Sequence, residues 1–136
     1  PAGSVSRQPT ANIDHYPTLL AAAGAKADAQ QKLDGTSLLR VWQKPDTQLK
    51  REPLYWHYPL EKPHFLGGRS SGAIRDGDWK LIENFTDNSL ELYHLANDPG
   101  EKVNLADQRL AKRTAMLDQL VNWRKTIGAT KDPPRR

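Results

Sequence analysis

An α+β fold is predicted for this chain: a small antiparallel sheet of about four strands, packed against a long C-terminal helix and preceded by two short helices. Three observations predict it. Residues 71–95 read as strand, two-residue turn, strand, turn, strand, which is an antiparallel meander rather than a set of βαβ units. From Asn104 onward, Leu105, Leu110, Met116, Leu117, Leu120, Val121, Trp123 and Ile127 fall on one side of a helical wheel, a stripe suited to covering one face of a sheet. The length of 136 residues allows one compact domain, and ten prolines with nine glycines assign much of it to loops.

The elements follow in chain order. Pro1 to Ala11 is polar and reads as a connecting arm. Ile13, Tyr16, Leu19, Leu20 and Ala23 have helical spacing, with Asn12 or Asp14 as cap, Pro17 tolerated near the first turn and Gly24 as the stop. After an Asp34-Gly35 turn, Thr36 or Ser37 caps a short helix carrying Leu38, Leu39 and Trp42. The aromatic run from Pro53 to Pro59 suits a short strand. Leu60 to Ser71 is the longest aperiodic stretch, and loops of this length inside compact domains are often functional. Strands are expected at 71–75, 79–85 and 90–95, with turns at Asp76-Gly77 and Asp87-Asn88-Ser89. Asn97-Asp98-Pro99-Gly100 stops the meander. The long helix is expected to start at Asn104, with Asp107 completing a capping-box-like pattern, and to end at Gly128. Arg109 and Arg113 fall inside its apolar stripe, so they should snorkel or pair with an acid. Residues 131–136 are expected to form a disordered tail.

Composition limits the chemistry. No cysteine is present, which removes disulfides, thiol nucleophiles and thiolate metal sites. No apolar run is long enough to span a membrane or serve as a cleavable signal. The chain starts at Pro1 and its one methionine is Met116, so it is expected to be a processed product or part of something longer. The formal charge of +4 is uneven. Residues 1–104 are nearly balanced, whereas Arg109, Lys112, Arg113, Arg124, Lys125, Lys131, Arg135 and Arg136 face only Asp107, Asp118 and Asp132. Such a basic helix suits either a solvated surface or an anionic partner.

No metal-ligand pair at helical spacing, nucleophile elbow or phosphate-cradling glycine loop occurs. The histidines His15, His57, His64 and His94 are dispersed, and only His57 and His64 flank the aperiodic loop. Either they are hydrogen-bonded structural residues, or they line a pocket with Arg69 for an anionic or hydroxyl-rich ligand. His15 and His94 read as structural. Turn chemistry explains Asp76 and Asp78, and turn plus helix-dipole chemistry explains Asp98 and Glu101. Asn84-Phe85-Thr86 matches a glycosylation acceptor, a very short pattern.

Several segments taken together resemble one known arrangement. Ile13-Asp14-His15-Tyr16-Pro17-Thr18-Leu19-Leu20-Ala21-Ala22-Ala23-Gly24 resembles the helix-plus-glycine segment that follows the catalytic core of sulfatases of the alkaline-phosphatase superfamily. Leu33-Asp34-Gly35-Thr36-Ser37-Leu38-Leu39, Leu54-Tyr55-Trp56-His57-Tyr58-Pro59, Ala73-Ile74-Arg75-Asp76-Gly77-Asp78-Trp79-Lys80-Leu81-Ile82 and Glu91-Leu92-Tyr93-His94-Leu95-Ala96-Asn97-Asp98-Pro99-Gly100-Glu101 follow in the same order, and Asn104-Leu105 closes the series. Over residues 9 to 127 the chain is similar to the C-terminal subdomain of an arylsulfatase-type enzyme.

The resemblance implies residues 1–50 as a segment connecting from a catalytic domain outside this chain, and residues 51–130 as the subdomain. It implies a sulfuric ester hydrolase whose formylglycine and calcium ion belong to that catalytic domain; no Cys-x-Pro-x-Arg or Ser-x-Pro-x-Arg occurs here, so this chain alone is expected to be inactive. The subdomain is expected to support the cleft and help recognise a sulfated small molecule or sugar. His57, His64 and Arg69 are then the substrate-binding candidates, with no catalytic residue and no metal site in this chain. The implied partner is the chain's own N-terminal catalytic domain, with self-association of the fragment possible, no nucleic acid expected, and a periplasmic or secreted location. The rival readings are a freestanding module binding anionic polysaccharide or nucleic acid through its basic helix, and a related phosphoester hydrolase.

Overall fold

The computed structural model describes residues 2–62 and 68–131. The chain divides into two compact units, Pro1–Glu52 and Pro53–Arg136.

The first unit carries a 3-10 turn, Asn12–Asp14, that runs into α1 (His15–Ala22), and then α2 (Leu39–Gln43). Gly24, at φ 66°, ends α1. Only Leu38 and Val41 are buried apolar residues among the described residues of this unit, so polar contacts organise it. Asp14 is fully buried. Its carboxylate does not cap α1 forward; it accepts the Ala11 N–H at 2.8 Å, the Thr36 N–H at 2.9 Å, and a two-pronged contact from Arg51 at 2.8 and 3.2 Å. The buried Thr18 hydroxyl donates to the Asp14 carbonyl and accepts the Leu38 N–H. Three distant stretches of chain are thus joined through one acid. Gly35 is required by close approach, because a Cβ there would fall 2.0 Å from the Ile13 carbonyl oxygen.

The second unit is a four-stranded antiparallel sheet in the order β1-β2-β3-β4, formed by Leu54–Tyr58, Ser71–Asp76, Trp79–Asn84 and Leu90–His94, with α3 at Leu110–Thr126. The α+β architecture is the one predicted. Asp76 pairs with Trp79, so Gly77 and Asp78 make the turn, and Gly77 takes the positive φ of 57° that a primed hairpin turn needs. Side chains alternate across the pleat. Ile74, Leu81 and Leu92 lie in register across three strands and are fully buried with Met116 and Leu120 of α3. Tyr55, Trp79, Leu117 and Trp123 flank this core.

Two expectations for the helix are corrected. It begins at Leu110, not Asn104. The intervening residues are recruited by the exposed edge of β4: Asn104 Oδ1 accepts the Leu92 N–H at 2.9 Å, Asn104 Nδ2 donates to the Leu90 carbonyl, and the Leu105 N–H donates to the Leu92 carbonyl. Pairing a sheet edge outweighs local helix propensity here. The apolar stripe is also shorter than predicted. Leu110 and Ile127 are exposed, and a charged residue, Arg124, is buried within it. Arg113 pairs with Asp107 at 3.1 Å. Beyond the helix, Lys131 is fixed by ion pairing, while residues 132–136 of the expected tail lie outside the described residues.

Candidate functional site

The end of β1 is where the candidate residues are found. Tyr55 and His57 occupy alternate positions and face α3. The Tyr55 ring stacks on Trp123 at 4.8 Å with planes 7° apart, and the His57 ring leans on Phe85 at 5.3 Å. In register, His57 lies beside Gly72, Gly72 beside Glu83, and Glu83 beside Leu90. Gly72 leaves a bare patch of backbone in this row. A Cβ there would meet Phe85 Cζ at 3.0 Å and Arg124 Nη1 at 3.1 Å, so the missing side chain is what lets both lie flat on the sheet.

Arg124, Glu83 and Lys131 form the charged centre. Both Arg124 and Glu83 are buried. Arg124 Nη1 pairs with Glu83 Oε2, and Lys131 Nζ with Glu83 Oε1 at 2.6 Å. Burial pushes the Glu83 carboxyl up, but hydrogen bonds from Lys131 and Arg124 and their charges outweigh it and hold it below its ordinary value. Phe85 receives both cations on its ring, Arg124 at 5.3 Å and Lys131 at 5.9 Å.

His57 is committed within this cluster. Its Nε2 donates to the Thr130 carbonyl at 2.8 Å, and its Nδ1 is buried without a hydrogen-bond partner among the described residues. Arg69 is exposed, and its charge helps hold Asp87 below the usual carboxylate range, behind the larger effect of hydrogen bonds from Ser89. No hydrogen bond joins Arg69 to His57. His64 lies outside the described residues. What the structure does define is the base of the loop between β1 and β2. The Leu60 N–H donates to Ser70 Oγ at 2.9 Å, and the Phe85 N–H donates to the Ser70 carbonyl at 2.8 Å. Gly68 passes the Tyr58 ring, its Cβ position 3.9 Å away.

The other polar features have structural explanations. His94 packs edge-on against Trp79 at 4.6 Å, and His15 is exposed at the start of α1. Asp98 accepts the Lys102 and Val103 N–H groups, whereas Glu101 pairs with Lys80, so they do not act as a carboxylate pair. Asn84 is buried, and its amide nitrogen donates to Ser89 and Glu91, which closes it to glycosylation in the folded chain. Several cations of the basic helix and tail are already spent: Lys112 on Asp76, Arg113 on Asp107, and Arg124 and Lys131 on Glu83. Among the described residues, no three His, Asp or Glu side chains converge as metal ligands.

Glu83, Arg124 and Gly72 were not among the sequence candidates. A signal did exist: Glu83 takes an inward position in the alternation Leu81, Glu83, Phe85, and Arg124 follows Leu120 by one helical turn. An acid and a base on two faces that must pack together mark a buried pair.

The sequence family described as N-sulphoglucosamine sulphohydrolase, C-terminal, matches residues 1–126. A sulfatase of Formosa agariphila is 34% identical over 117 residues, covering 81% of this chain and 21% of its own. An N-acetylglucosamine-6-O-sulfatase of Bacteroides thetaiotaomicron is 30% identical over 139 residues, covering 99% of this chain and 24% of its own. The structure of BT4656 in complex with its substrate D-glucosamine-2-N,6-O-disulfate superposes with a TM-score of 0.73 at 29% identity, over 91% of this chain and 26% of that one. The chain therefore spans about a fifth to a quarter of the length of these relatives. With the sheet, the helix and the matched segments all in place, the chain belongs to the family of N-sulphoglucosamine sulphohydrolase C-terminal domains.

Proposed function

We propose that this domain is the C-terminal part of a sulfatase that hydrolyses a sulfate ester or sulfamate on an amino sugar. The match to the N-sulphoglucosamine sulphohydrolase family over residues 1–126 carries this reading, and two relatives named for glucosamine derivatives support the substrate class. The catalytic groups, including the formylglycine and calcium of sulfatase chemistry, would then belong to an N-terminal catalytic domain outside this sequence. No reaction step is assigned to the 136 residues themselves, which we expect to be inactive alone. Export to the periplasm or beyond the cell fits a sulfated-glycan substrate.

Within that enzyme the domain supports the cleft and helps select the substrate. The 59–70 loop, which carries His64 and Arg69, is the part proposed to meet the sugar. Its exposed guanidinium suits a sulfate or hydroxyl group. His57 enters as a residue at the base of this loop rather than as a direct ligand, since its Nε2 already serves Thr130.

Sulfate release by the full-length enzyme tests the reading, with 6-O-sulfated glucosamine, N-sulfated glucosamine, an aryl sulfate and an aryl phosphate as a panel. Release from a glucosamine sulfate is expected. Turnover of the phosphate with none of the sulfates overturns it. The isolated chain should not turn over the aryl sulfate above blank; turnover would place catalytic groups here after all.

A further inference from the structure

We propose that Arg124, Thr130 and Lys131 are positioning residues: a clasp at the end of α3 that holds the base of the 59–70 loop. This rests on the reading that the loop meets the sugar.

The path can be followed atom by atom. After Thr126 the chain reverses through Gly128, at φ 65°, whose N–H donates to the Lys125 carbonyl while the Ala129 N–H donates to the Arg124 carbonyl. This is the paired hydrogen bonding of a Schellman cap, which needs the left-handed residue that glycine supplies. The reversal brings Thr130 and Lys131 back over the sheet. Thr130 accepts from His57 at the end of β1, and Lys131 completes the pairing of Glu83 and also reaches Asn88 Oδ1 at 3.0 Å. His57, Arg124 and Lys131 all bear on Phe85. The Phe85 N–H holds the Ser70 carbonyl, and Ser70 Oγ holds the Leu60 N–H. Both feet of the loop, Leu60 and Ser70, are thus tied to a cluster that the segment after α3 closes.

Glu83 explains why two cations are needed. A buried carboxylate with one oxygen unpaired is costly, and Arg124 occupies only one. Lys131 satisfies the other from a half-exposed position, so its removal should loosen the clasp without unfolding the sheet.

The test uses the full-length enzyme with Lys131→Ala and Lys131→Arg, read by amide hydrogen exchange and steady-state kinetics. For Lys131→Ala, exchange at Leu60 and Phe85 should rise about fivefold, and KM should rise by a similar factor with kcat little changed. Lys131→Arg should restore both. Exchange that does not change at these two amides overturns the clasp. Faster exchange with an unchanged KM keeps the mechanical link and overturns the loop's part in recognition.

Discussion

Each unit of this chain buries one carboxylate against an arginine, and the two are built differently. Asp14 is closed by backbone: the N–H groups of Ala11 and Thr36 take two of its lone pairs, and Arg51 grips both oxygens. Glu83 is held by side chains, Arg124 on one oxygen and Lys131 on the other. Asp14 sits where little apolar surface is buried, whereas Glu83 sits beside a packed core of Ile74, Leu81, Met116 and Leu120. The first acid therefore replaces a core by joining three stretches of chain. The second adorns a core that already exists, and one of its two cations, Lys131, is half-exposed. A backbone-closed acid specifies a fold; a side-chain-closed acid can be adjusted.

Substitution at the two acids should separate these roles most strongly. Asp14→Ala leaves the Arg51 guanidinium buried and two backbone N–H groups without acceptors. A loss of about 3–5 kcal/mol is expected, enough to unfold the first unit, by denaturant unfolding of the chain. Glu83→Gln retains the shape and one acceptor oxygen, which can still take the Arg124 N–H while Lys131 swings out to solvent, so the loss should be nearer ~2 kcal/mol. Equal losses at both sites would remove the distinction.

Two close-approach glycines, Gly35 and Gly72, sharpen the same contrast at a smaller scale. In Gly35→Ala the added methyl meets the Ile13 carbonyl at 2.0 Å, a backbone group that cannot turn aside. A cost of about 3 kcal/mol is expected. In Gly72→Ala the methyl meets the ends of Phe85 and Arg124 at 3.0 and 3.1 Å, side chains that can shift. About 1 kcal/mol is expected there, with Phe85 and Arg124 displaced in a crystal structure of the variant. A larger loss at Gly72 than at Gly35 would show that the second cluster is the more rigid.

The same contrast governs what the sequence reveals. The meander was legible because alternation and turn residues are local: Gly77 and the Asp87-Asn88-Ser89 turn mark the strand ends within a residue or two. The start of α3 was not, because Asn104 and Leu105 answer to the edge of β4, more than ten positions away in the chain. Asp14 reads locally as a helix cap, yet its partners at Thr36 and Arg51 are set by tertiary folding. At the candidate site, His57 and the loop were found from their aromatic and proline setting. The hydrogen bond that occupies His57 goes to the carbonyl of Thr130, in a stretch that reads as the approach to a disordered tail. Sequence periodicity locates faces; it does not say which charged residues on two faces will meet.

Acid titration gives the smallest effect and the finest test. For Asp14, burial pushes the carboxyl up, but the Arg51 hydrogen bonds, the Thr36 and Ala11 N–H groups and the Arg51 charge bring it below its ordinary value. Glu83 is lowered on balance as well, against its own burial. A carboxylate lowered in the folded state contributes stability above its unfolded pKa. That contribution is lost as pH falls through the folded value, because the unfolded chain then binds more protons. Both units should therefore weaken in acid, below about pH 4, where unfolded carboxylates begin to protonate. Lys131→Ala removes one of the cations that lower Glu83 and none of the groups that lower Asp14. The acid transition of the second unit, followed by Trp79 and Trp123 fluorescence, should move to higher pH by a few tenths of a unit. The first unit, followed through Trp42, should not move. A shift in both would mean that the two carboxylates titrate as one system rather than as two separately built sites.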